Sequence, residues 1–396
     1  MGIEKYAKKE VATLMTMAGA ATRARVGPIP GLINLGAGDP DFNQPEFINK
    51  AVYEAMQAGE THYSFSGEPD FKQAIAEYYQ KYGVTVNPES QILITSGGSQ
   101  AIFQAFAGIL NPGDELLVMD PAYQGYIAPT AYFGANMTRA EQTLDRNGIF
   151  RPDFHNIENA ITPKTKAILF CNPDNPTGAV WTKKELEQLA EIAVKKDVLV
   201  IADEIYTEFV WKGKHQTIID LLGMLDRTMV LMSFSKTFAW TGCRAGYIIA
   251  GPELMKVVNA VPVGICSMPV PFQKAAVKAL HEGWDFVAEM RSAYKRRIDF
   301  MVKRLNEIEG IKCPYPEGAF YLFPSISSYG VPSQEFVIDF FQKKKVRLAP
   351  GTQYGPNGEG HIRFALVKPV EELEEVCDRL EDFVKHLPPK APPAIP

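Results

Sequence analysis

The chain has 396 residues, of which 46% are hydrophobic and 22% are charged, and its formal net charge is −5. This length suits two packed domains better than one simple core. The slight excess of acidic residues offers no general attraction to nucleic acid or to an anionic membrane. We therefore expect a folded protein whose partners are small molecules, with no nucleic acid and no membrane among them.

The N-terminus carries an apolar stretch at Val11–Ala21, but Glu4 and Glu10 precede it, which fits neither a secretory signal nor a transit peptide. No stretch approaches the length of a membrane span. The five cysteines lie far apart, without the spacing of a metal site. They are Cys171, Cys243, Cys266, Cys313 and Cys377. We expect free thiols in a reducing compartment, a cytoplasmic location and no metal.

Between about residues 90 and 250, short apolar runs rich in β-branched residues alternate with segments of helical length, as in an α/β sheet. The helical segment Lys183–Lys195 has apolar residues at helical spacing. We predict a mainly parallel, buried sheet. Its expected strands are Ile92–Thr95, Glu115–Met119, Lys166–Phe170, Val198–Ala202, Thr228–Met232 and Gly246–Ala250.

The C-terminal third predicts a second, smaller unit. A long amphipathic helix, Trp284 to Leu305, is expected to connect the two domains. Strands at Ala319–Phe323, Val346–Ala349 and His361–Ala365 follow, and a helix at Glu371–Lys385 closes the unit. We thus predict an N-terminal segment (1–48) joining the small domain, a large domain (49–290), a small α+β domain (291–386) and a disordered, proline-rich tail (387–396).

The most informative residues follow the strand Thr228–Met232. Lys236 lies where an α/β sheet presents its ligands, and burial lowers the pKa of an amine and makes it a nucleophile toward an aldehyde. Ser233, Ser235 and Arg244 supply the hydroxyls and the cation that hold a phosphate. A single lysine is usually a solvated surface residue, so these neighbours carry the interpretation.

Ser233-Phe234-Ser235-Lys236, followed by Gly242-Cys243-Arg244, resembles the cofactor-lysine motif of class I aminotransferases. Further segments resemble the same family in the expected order and extend the resemblance over almost the whole chain. They begin at Leu35, Thr61, Thr95, Asp120, Asn172, Val198 and His361. The resemblance implies the pyridoxal-phosphate-dependent transferase fold type I and an aminotransferase that uses pyridoxal 5′-phosphate.

The resemblance also implies roles for single residues around the cofactor ring. Lys236 is expected to carry the cofactor as a Schiff base and to act as acid and base. Asp203 is expected to keep the pyridine nitrogen protonated, because an opposite charge favours the charged form. Asn175 and Tyr206 correspond to the residues that contact the phenolic oxygen, and Tyr123 to the one that stacks on the ring.

The remaining roles concern the phosphate, the substrate and the partner subunit. Gly98 and Ser99 occupy the turn that contacts the phosphate in the family. Arg363 stands within a predicted strand and is expected to clamp the substrate carboxylate, while Gly38 belongs to the loop near that carboxylate. Tyr63 resembles the tyrosine that reaches the phosphate of a neighbouring subunit, which implies a homodimer with composite active sites.

Structural alternatives exist for several of these residues. Asn175 lies in a segment of turn formers, Asp203 could cap a helix, and Arg363 could belong to a structural ion pair. Tyr63 could pack at the base of a helix that begins near Glu68. Two other functions also stay open: a carbon–sulfur β-lyase or synthase on the same cofactor fold, and a regulator that senses ligands with an aminotransferase-like domain.

Substrate choice rests on one departure from the acidic-substrate pattern. Many bacterial aspartate-specific relatives have a lysine where this chain has Ser99, so strict aspartate specificity is not expected. Aromatic side chains expected to line the pocket favour aromatic or apolar substrates. They are Phe42, Tyr123, Tyr126 and Trp240. Glutamate would be accommodated by Arg23 or Arg25, and 2-oxoglutarate is the expected acceptor.

Overall fold

The protein is described by a computed structural model, which covers residues 6–17, 29–262 and 268–387. The expected disordered tail lies outside these residues, except for Leu387. Within the described ranges, none of the helices combines the length and the apolar character needed to cross a membrane.

The fold combines a large α/β unit with a smaller α+β unit. The strands are β1 (Ile33–Asn34), β2 (Ile92–Thr95), β3 (Glu115–Asp120), β4 (Asn136–Glu141), β5 (Thr143–Leu144), β6 (Phe150–Arg151), β7 (Thr165–Cys171), β8 (Leu199–Asp203), β9 (Thr228–Ser233), β10 (Gly246–Ala250), β11 (Tyr321–Leu322), β12 (Val346–Arg347), β13 (Ala349–Pro350) and β14 (Ile362–Ala365). The α-helices are α1 (Lys9–Met17), α2 (Glu46–Gln57), α3 (Pro69–Gln80), α4 (Gly98–Ile109), α5 (Ile127–Tyr132), α6 (Phe154–Ala160), α7 (Lys183–Lys195), α8 (Phe234–Thr237), α9 (Pro252–Asn259), α10 (Val270–Glu282), α11 (Trp284–Glu307), α12 (Ser333–Lys344) and α13 (Val370–Lys385).

The large unit is built on a seven-stranded sheet with the order β2-β10-β9-β8-β7-β3-β4. Neighbouring strands are parallel from β9 through β4, and β10 alone runs antiparallel to both of its neighbours. The predicted mainly parallel α/β fold is therefore confirmed. All six predicted strands are present within one residue at each end, whereas β4 was not predicted, because its polar sequence lacks the apolar run of its neighbours.

Both faces of this sheet are buried except at the edge strand β4, which is partly exposed. Alternate residues of each strand enter different cores. In β8, Val200 packs into the core with α3 and α10, while Ile201 packs into the core with α4 and α9. The covering helices show the expected amphipathic pattern. For α7, a capping box between Thr182 and Glu185 satisfies the first backbone amides, which explains where that helix begins.

The long helix α11 contacts two cores in turn. Its N-terminal half contributes Val287, Met290 and Tyr294 to the core of the large unit. Its C-terminal half contributes Ile298 and Met301 to the core of the small unit. The smaller unit contains the three-stranded sheet β11-β14-β13, covered by α12 and α13. The exact domain boundaries that we predicted stay predictions.

The N-terminal segment is attached to the small unit through β1, which pairs in parallel with β12. Farther along the segment, the Asp41 carboxylate receives two hydrogen bonds of 2.7 Å from the buried Arg297 guanidinium of α11. Arg297 also donates to the Leu366 carbonyl, at 2.9 Å. Such a bidentate pair fixes both distance and orientation, so the loop between β1 and α2 has a defined position over the sheet.

Candidate active site

The predicted site residues meet at one edge of the seven-stranded sheet, around a cavity of about 370 Å³. The cavity is lined by Gly38, Gly98, Ser99, Tyr123, Asn175, Asp203, Tyr206, Ser233, Ser235, Lys236, Arg244 and Arg363. These are all of the predicted site residues except Tyr63. Strands β2, β3, β7, β8 and β9 all end at this edge, and the antiparallel β10 begins there, which is why Arg244, two residues before β10, joins the others.

Lys236 lies in the short helix α8, directly after β9. Its Nζ donates a hydrogen bond to the Gly38 carbonyl, at 2.5 Å. Burial lowers the pKa of this amine to about 8, with the nearby cations Arg363 and Arg244 acting in the same direction. A lysine that loses its proton this close to neutrality can serve as a nucleophile and as a base.

The start of α4 forms one end of the cavity. Gly97 precedes this helix with φ of 78°, and a Cβ atom on it would lie 2.6 Å from the Arg244 guanidinium, so the close approach requires glycine. Arg244 donates to the Thr241 and Ser96 carbonyls. Unpaired helix amides, a fixed guanidinium and the hydroxyls of Ser99 and Ser235 are groups of the kind that bind a phosphate.

The buried carboxylate of Asp203 lies at the end of β8. Its Oδ2 accepts a hydrogen bond from the Tyr126 hydroxyl, at 2.6 Å. Burial raises the pKa of Asp203 to about 6, while the Tyr126 hydrogen bond acts in the opposite direction. The Ile205 amide approaches Oδ1 at 3.4 Å, but β8 is followed by a turn and not by a helix, so the alternative of a helix cap is not met.

Asn175, Tyr206 and Arg363 form one hydrogen-bonded group on the opposite wall. The Asn175 side chain donates to the Tyr206 hydroxyl, at 3.3 Å, and accepts from Arg363 Nη1, at 3.0 Å. Arg363 Nη2 donates to the Gly36 carbonyl, at 2.6 Å, and its Nε has no hydrogen-bond partner among the described residues. Within the described ranges no acidic side chain pairs with this buried guanidinium, so the alternative of a structural ion pair receives no support there.

The loop that contains Gly36 and Gly38 closes the cavity from above. Thr241 donates to the Asp39 carboxylate at 2.7 Å, and Gln44 donates to the Ala239 carbonyl at 2.7 Å. A Cβ atom on Gly38 would lie 2.0 Å from the Tyr321 hydroxyl, so only glycine fits there. The predicted proximity of this loop to the site is therefore seen in the structure.

Three of the aromatic side chains expected to line the pocket do not. Tyr126 is buried beneath the cavity as the donor to Asp203. Trp240 is enclosed in the core and stacks on Phe234, and Phe42 packs edge-on against Tyr294. Tyr126 and Trp240 are fully buried, and Phe42 is partly buried against the core, because burial of a large ring is favourable. Only Tyr123 of that set lines the cavity; Arg23 and Arg25 lie outside the described residues.

Sequence reasoning misses the role of Tyr126 and the presence of Tyr321. It predicts Tyr126 in the pocket wall, because the sequence does not reveal that the segment after β3 meets Asp203 at the end of β8. Tyr321, on β11, lines the cavity between Tyr206 and Arg363. The available signal was a hydroxyl within an otherwise apolar predicted strand, Ala319–Phe323, but the sequence does not show which strand lies beside it.

Tyr63 lies apart from the cavity of its own chain, with 70% of its surface exposed. Its ring contacts Phe65, at 6.3 Å between centroids, and Phe65 is exposed as well. The alternative of a tyrosine packed at the base of α3 is therefore wrong for the chain by itself.

Comparison with known proteins identifies a family. The family model described as aminotransferase class I and II matches residues 30–380. Aromatic-amino-acid aminotransferase 2 of Thermococcus litoralis is 39% identical, with 90% of this chain and 92% of that protein covered. An aspartate aminotransferase of Pyrococcus abyssi is 38% identical, with 89% and 92% covered. The crystal structure of an aromatic aminotransferase from Pyrococcus horikoshii superposes with a TM-score of 0.86 at 35% identity, covering 90% of this chain and 96% of that one.

The Tyr126–Asp203 hydrogen bond leads to a test by pH. Tyr126→Phe removes a donor that stabilises the carboxylate, so the pKa of Asp203 should rise further, by about one unit for a hydrogen bond to a charged group. Because the carboxylate then protonates at higher pH, the acid limb of the kcat/KM profile should shift to higher pH. Tyr294→Phe is the control, since the Tyr294 hydroxyl has no hydrogen-bond partner among the described residues. An acid limb that stays in place, or moves downward, would contradict the assignment.

Proposed function

The chain belongs to the aminotransferase class I and II family and is an aminotransferase, and from this premise we propose that its cavity holds pyridoxal 5′-phosphate with Lys236 as the covalent anchor. One observation carries the proposal: a lysine with a lowered pKa lies between two arginines, Arg244 and Arg363, that have no acidic partner among the described residues. Arg363 is buried and Arg244 is half-buried, and a cation removed from water in this way favours a bound anion. Two anions are thus expected, a phosphate at one end and a carboxylate at the other.

The residues that line the cavity supply a partner for each part of this cofactor. Arg244, Ser99 and the start of α4 would hold the phosphate, as Ser233 and Ser235 would from the other side. Asp203 would face the pyridine nitrogen, and Tyr123 would cover the ring. Asn175 and Tyr206 would contact the phenolic oxygen. When bound, the cofactor supplies an aldehyde that captures an amino group and a protonated ring that withdraws electrons from the substrate.

The residues of the chain position the substrate and move its proton. Arg363, supported by Asn175, would bind the α-carboxylate with two parallel hydrogen bonds. On substrate binding, Arg363 would lose its hydrogen bond to the Gly36 carbonyl, and Lys236 would lose its hydrogen bond to the Gly38 carbonyl. Lys236 Nζ would remove the proton from Cα, which its pKa of about 8 allows near neutral pH. Because Arg363 fixes the carboxylate, proton loss is favoured over decarboxylation by orientation.

The anchor can be identified by chemical trapping. Reduction of the holoenzyme with borohydride should leave a phosphopyridoxyl group on Lys236, detected by peptide mass spectrometry. Lys236→Ala should fold, lose this label and lose turnover by more than about a thousandfold, because it removes both the anchor and the base. Lys72→Met is the matched control: Lys72 is buried with a lowered pKa, but it lies outside the cavity. Label on another lysine, or substantial turnover by Lys236→Ala, would refute the proposal.

We further propose a broad amino donor range in which aromatic or apolar substrates match or exceed aspartate. Ser99 supplies no cation for a second carboxylate, and Tyr123 and Tyr321 line the cavity with aromatic surface. The names of the relatives leave both substrate classes open, since one is an aromatic-amino-acid aminotransferase and another an aspartate aminotransferase. The proposed acceptor is 2-oxoglutarate, as the family resemblance implies.

Donor preference can be measured directly. The measurement is kcat/KM for phenylalanine, tyrosine, methionine, alanine and aspartate, with 2-oxoglutarate as acceptor. The values for the aromatic and apolar donors should equal or exceed the value for aspartate. A roughly hundredfold preference for aspartate, equivalent to about 2.7 kcal/mol, would refute the argument from Ser99. Release of pyruvate and ammonia from cysteine over many turnovers, without any acceptor, would instead indicate a carbon–sulfur β-lyase.

A homodimer with composite sites is the third part of the proposal. Apolar side chains are exposed on α2 and on the segment after it, where a monomer gains nothing from them. They are Tyr53, Met56, Tyr63 and Phe65. Since Tyr63 does not line its own cavity, its side chain is available to contact the phosphate of a partner subunit.

Four described cysteines are free thiols, which supports a cytoplasmic location.

Subunit mixing tests the composite site. Lys236→Ala and Tyr63→Ala homodimers should both be impaired. A refolded mixture should regain activity, about a quarter of the wild-type value, because half of the dimers then contain one site with Lys236 and the partner's Tyr63 both intact. If Tyr63 served its own chain's site, no mixed dimer would hold an intact site. Unchanged activity after mixing, or a fully active monomer in sedimentation, would contradict the model.

A further inference from the structure

Tyr321 contacts both Arg363 and Tyr206 in the cavity wall. On β11 it lies opposite Ala365 of β14, so its side chain is on the same face as Arg363, two residues earlier on that strand. The centre of the Arg363 guanidinium lies 4.5 Å from the centroid of the Tyr321 ring, within the range of a cation–π contact. The ring of this fully buried tyrosine thus limits the plane in which the guanidinium can lie.

The hydroxyl of Tyr321 lies 2.8 Å from the hydroxyl of Tyr206. Burial raises the pKa of both phenols, so each keeps its proton at neutral pH. A phenol has one proton to donate and can accept hydrogen bonds on its oxygen. Tyr206 already accepts one, from the Asn175 side chain at 3.3 Å.

Two proton arrangements are possible for this pair, and each leaves one proton without an acceptor among the described residues. If Tyr206 donates to Tyr321, the proton of Tyr206 is used within the pair and cannot reach the phenolic oxygen that Tyr206 is proposed to contact. If Tyr321 donates to Tyr206, the Tyr206 oxygen accepts from both Asn175 and Tyr321. The proton of Tyr206 is then directed toward the cavity, where a ligand oxygen can accept it.

Resting on the proposed function, we propose that Tyr321 is a positioning residue that donates to Tyr206, turns the Tyr206 proton toward the phenolic oxygen of the cofactor, and holds the Arg363 guanidinium with its ring. It therefore couples the carboxylate clamp to the group that sets the protonation of the lysine–cofactor linkage.

The hydroxyl and the ring have separable consequences. A donor to the phenolic oxygen stabilises its anionic form, which weakens the hold of that oxygen on a proton shared with the lysine nitrogen. The donor therefore lowers the pH at which the visible absorption band of the holoenzyme titrates. Other titratable groups face this region and stay unchanged in the variants below. They are Asp39, Asp203, Arg244 and Arg363 around Lys236, and Cys171 and Asp203 around Tyr206.

The first measurement is the pH titration of the visible band in the wild-type, Tyr321→Phe and Tyr354→Phe holoenzymes. Tyr321→Phe should raise the midpoint by about half to one pH unit, because it removes one hydrogen bond. Tyr354→Phe is the matched control: its ring also contacts Arg363, at 5.2 Å, but its buried hydroxyl has no hydrogen-bond partner among the described residues. An unchanged or lowered midpoint in Tyr321→Phe would overturn the inference.

The second measurement asks whether Tyr321 acts through Tyr206. In a Tyr206→Phe background the further change Tyr321→Phe should no longer move the midpoint, since the proton that it directs is absent. An equal shift in both backgrounds would show a separate effect and overturn the inference. For the ring, Tyr321→Phe should keep the KM for the amino donor within about twofold, whereas Tyr321→Leu should raise it about tenfold or more. Equal KM values for the two variants would overturn the second role.

Failure of this inference differs from failure of the proposed function. If the wild-type protein shows a titrating band and borohydride labels Lys236, but Tyr321→Phe behaves like Tyr354→Phe, only the role of Tyr321 is wrong. If the wild-type protein shows no such band, the proposed function is wrong, and the role of Tyr321 falls with it.

Discussion

The structure depends on the burial of a mostly parallel sheet on both faces, with only partial burial at the edge strand β4. Because both faces pack against helices, polar side chains cannot project from the strand interiors without losing solvation, and they collect where the strands end. The ends of β8 and β9 thus carry Asp203 and Ser233 to one edge. The antiparallel β10 brings Arg244 to the same edge by its beginning rather than by its end. One packing requirement therefore assembles most of the candidate site.

The same burial sets the chemistry of the edge. A charged form loses hydration there, so the pKa of Lys236 falls to about 8 while that of Asp203 rises to about 6. Both groups are thereby able to change protonation near neutral pH, which an exposed lysine or aspartate would not do. The hydrogen bond from Tyr126 opposes the rise in the pKa of Asp203, and the Gly38 carbonyl accepts a hydrogen bond from Lys236 Nζ. Each of these two charged groups thus keeps one hydrogen bond within the cavity wall, which offsets part of its lost hydration.

The large unit supplies only part of the cavity wall. Arg363 and Tyr321 come from the small unit, and Gly36 and Gly38 come from the segment attached to it. The Asp41–Arg297 pair and the helix α11 hold these parts against the sheet. A small displacement of the small unit would move the carboxylate clamp relative to Lys236. Substrate binding and the position of the small unit are therefore physically linked.

The sequence by itself determined the fold class, the six central strands of the prediction and most of the residues around the cavity, because period-2 and period-3.6 patterns and strand-end motifs are local. It could not determine β4, whose residues are polar, or whether Trp240 and Phe42 face a cavity or a core. Only the tertiary structure decided that Tyr126 serves Asp203 and that Tyr321 joins Tyr206 to Arg363. Those contacts span 77, 115 and 42 positions along the chain, and their existence depends on which strands become neighbours, which no local pattern encodes.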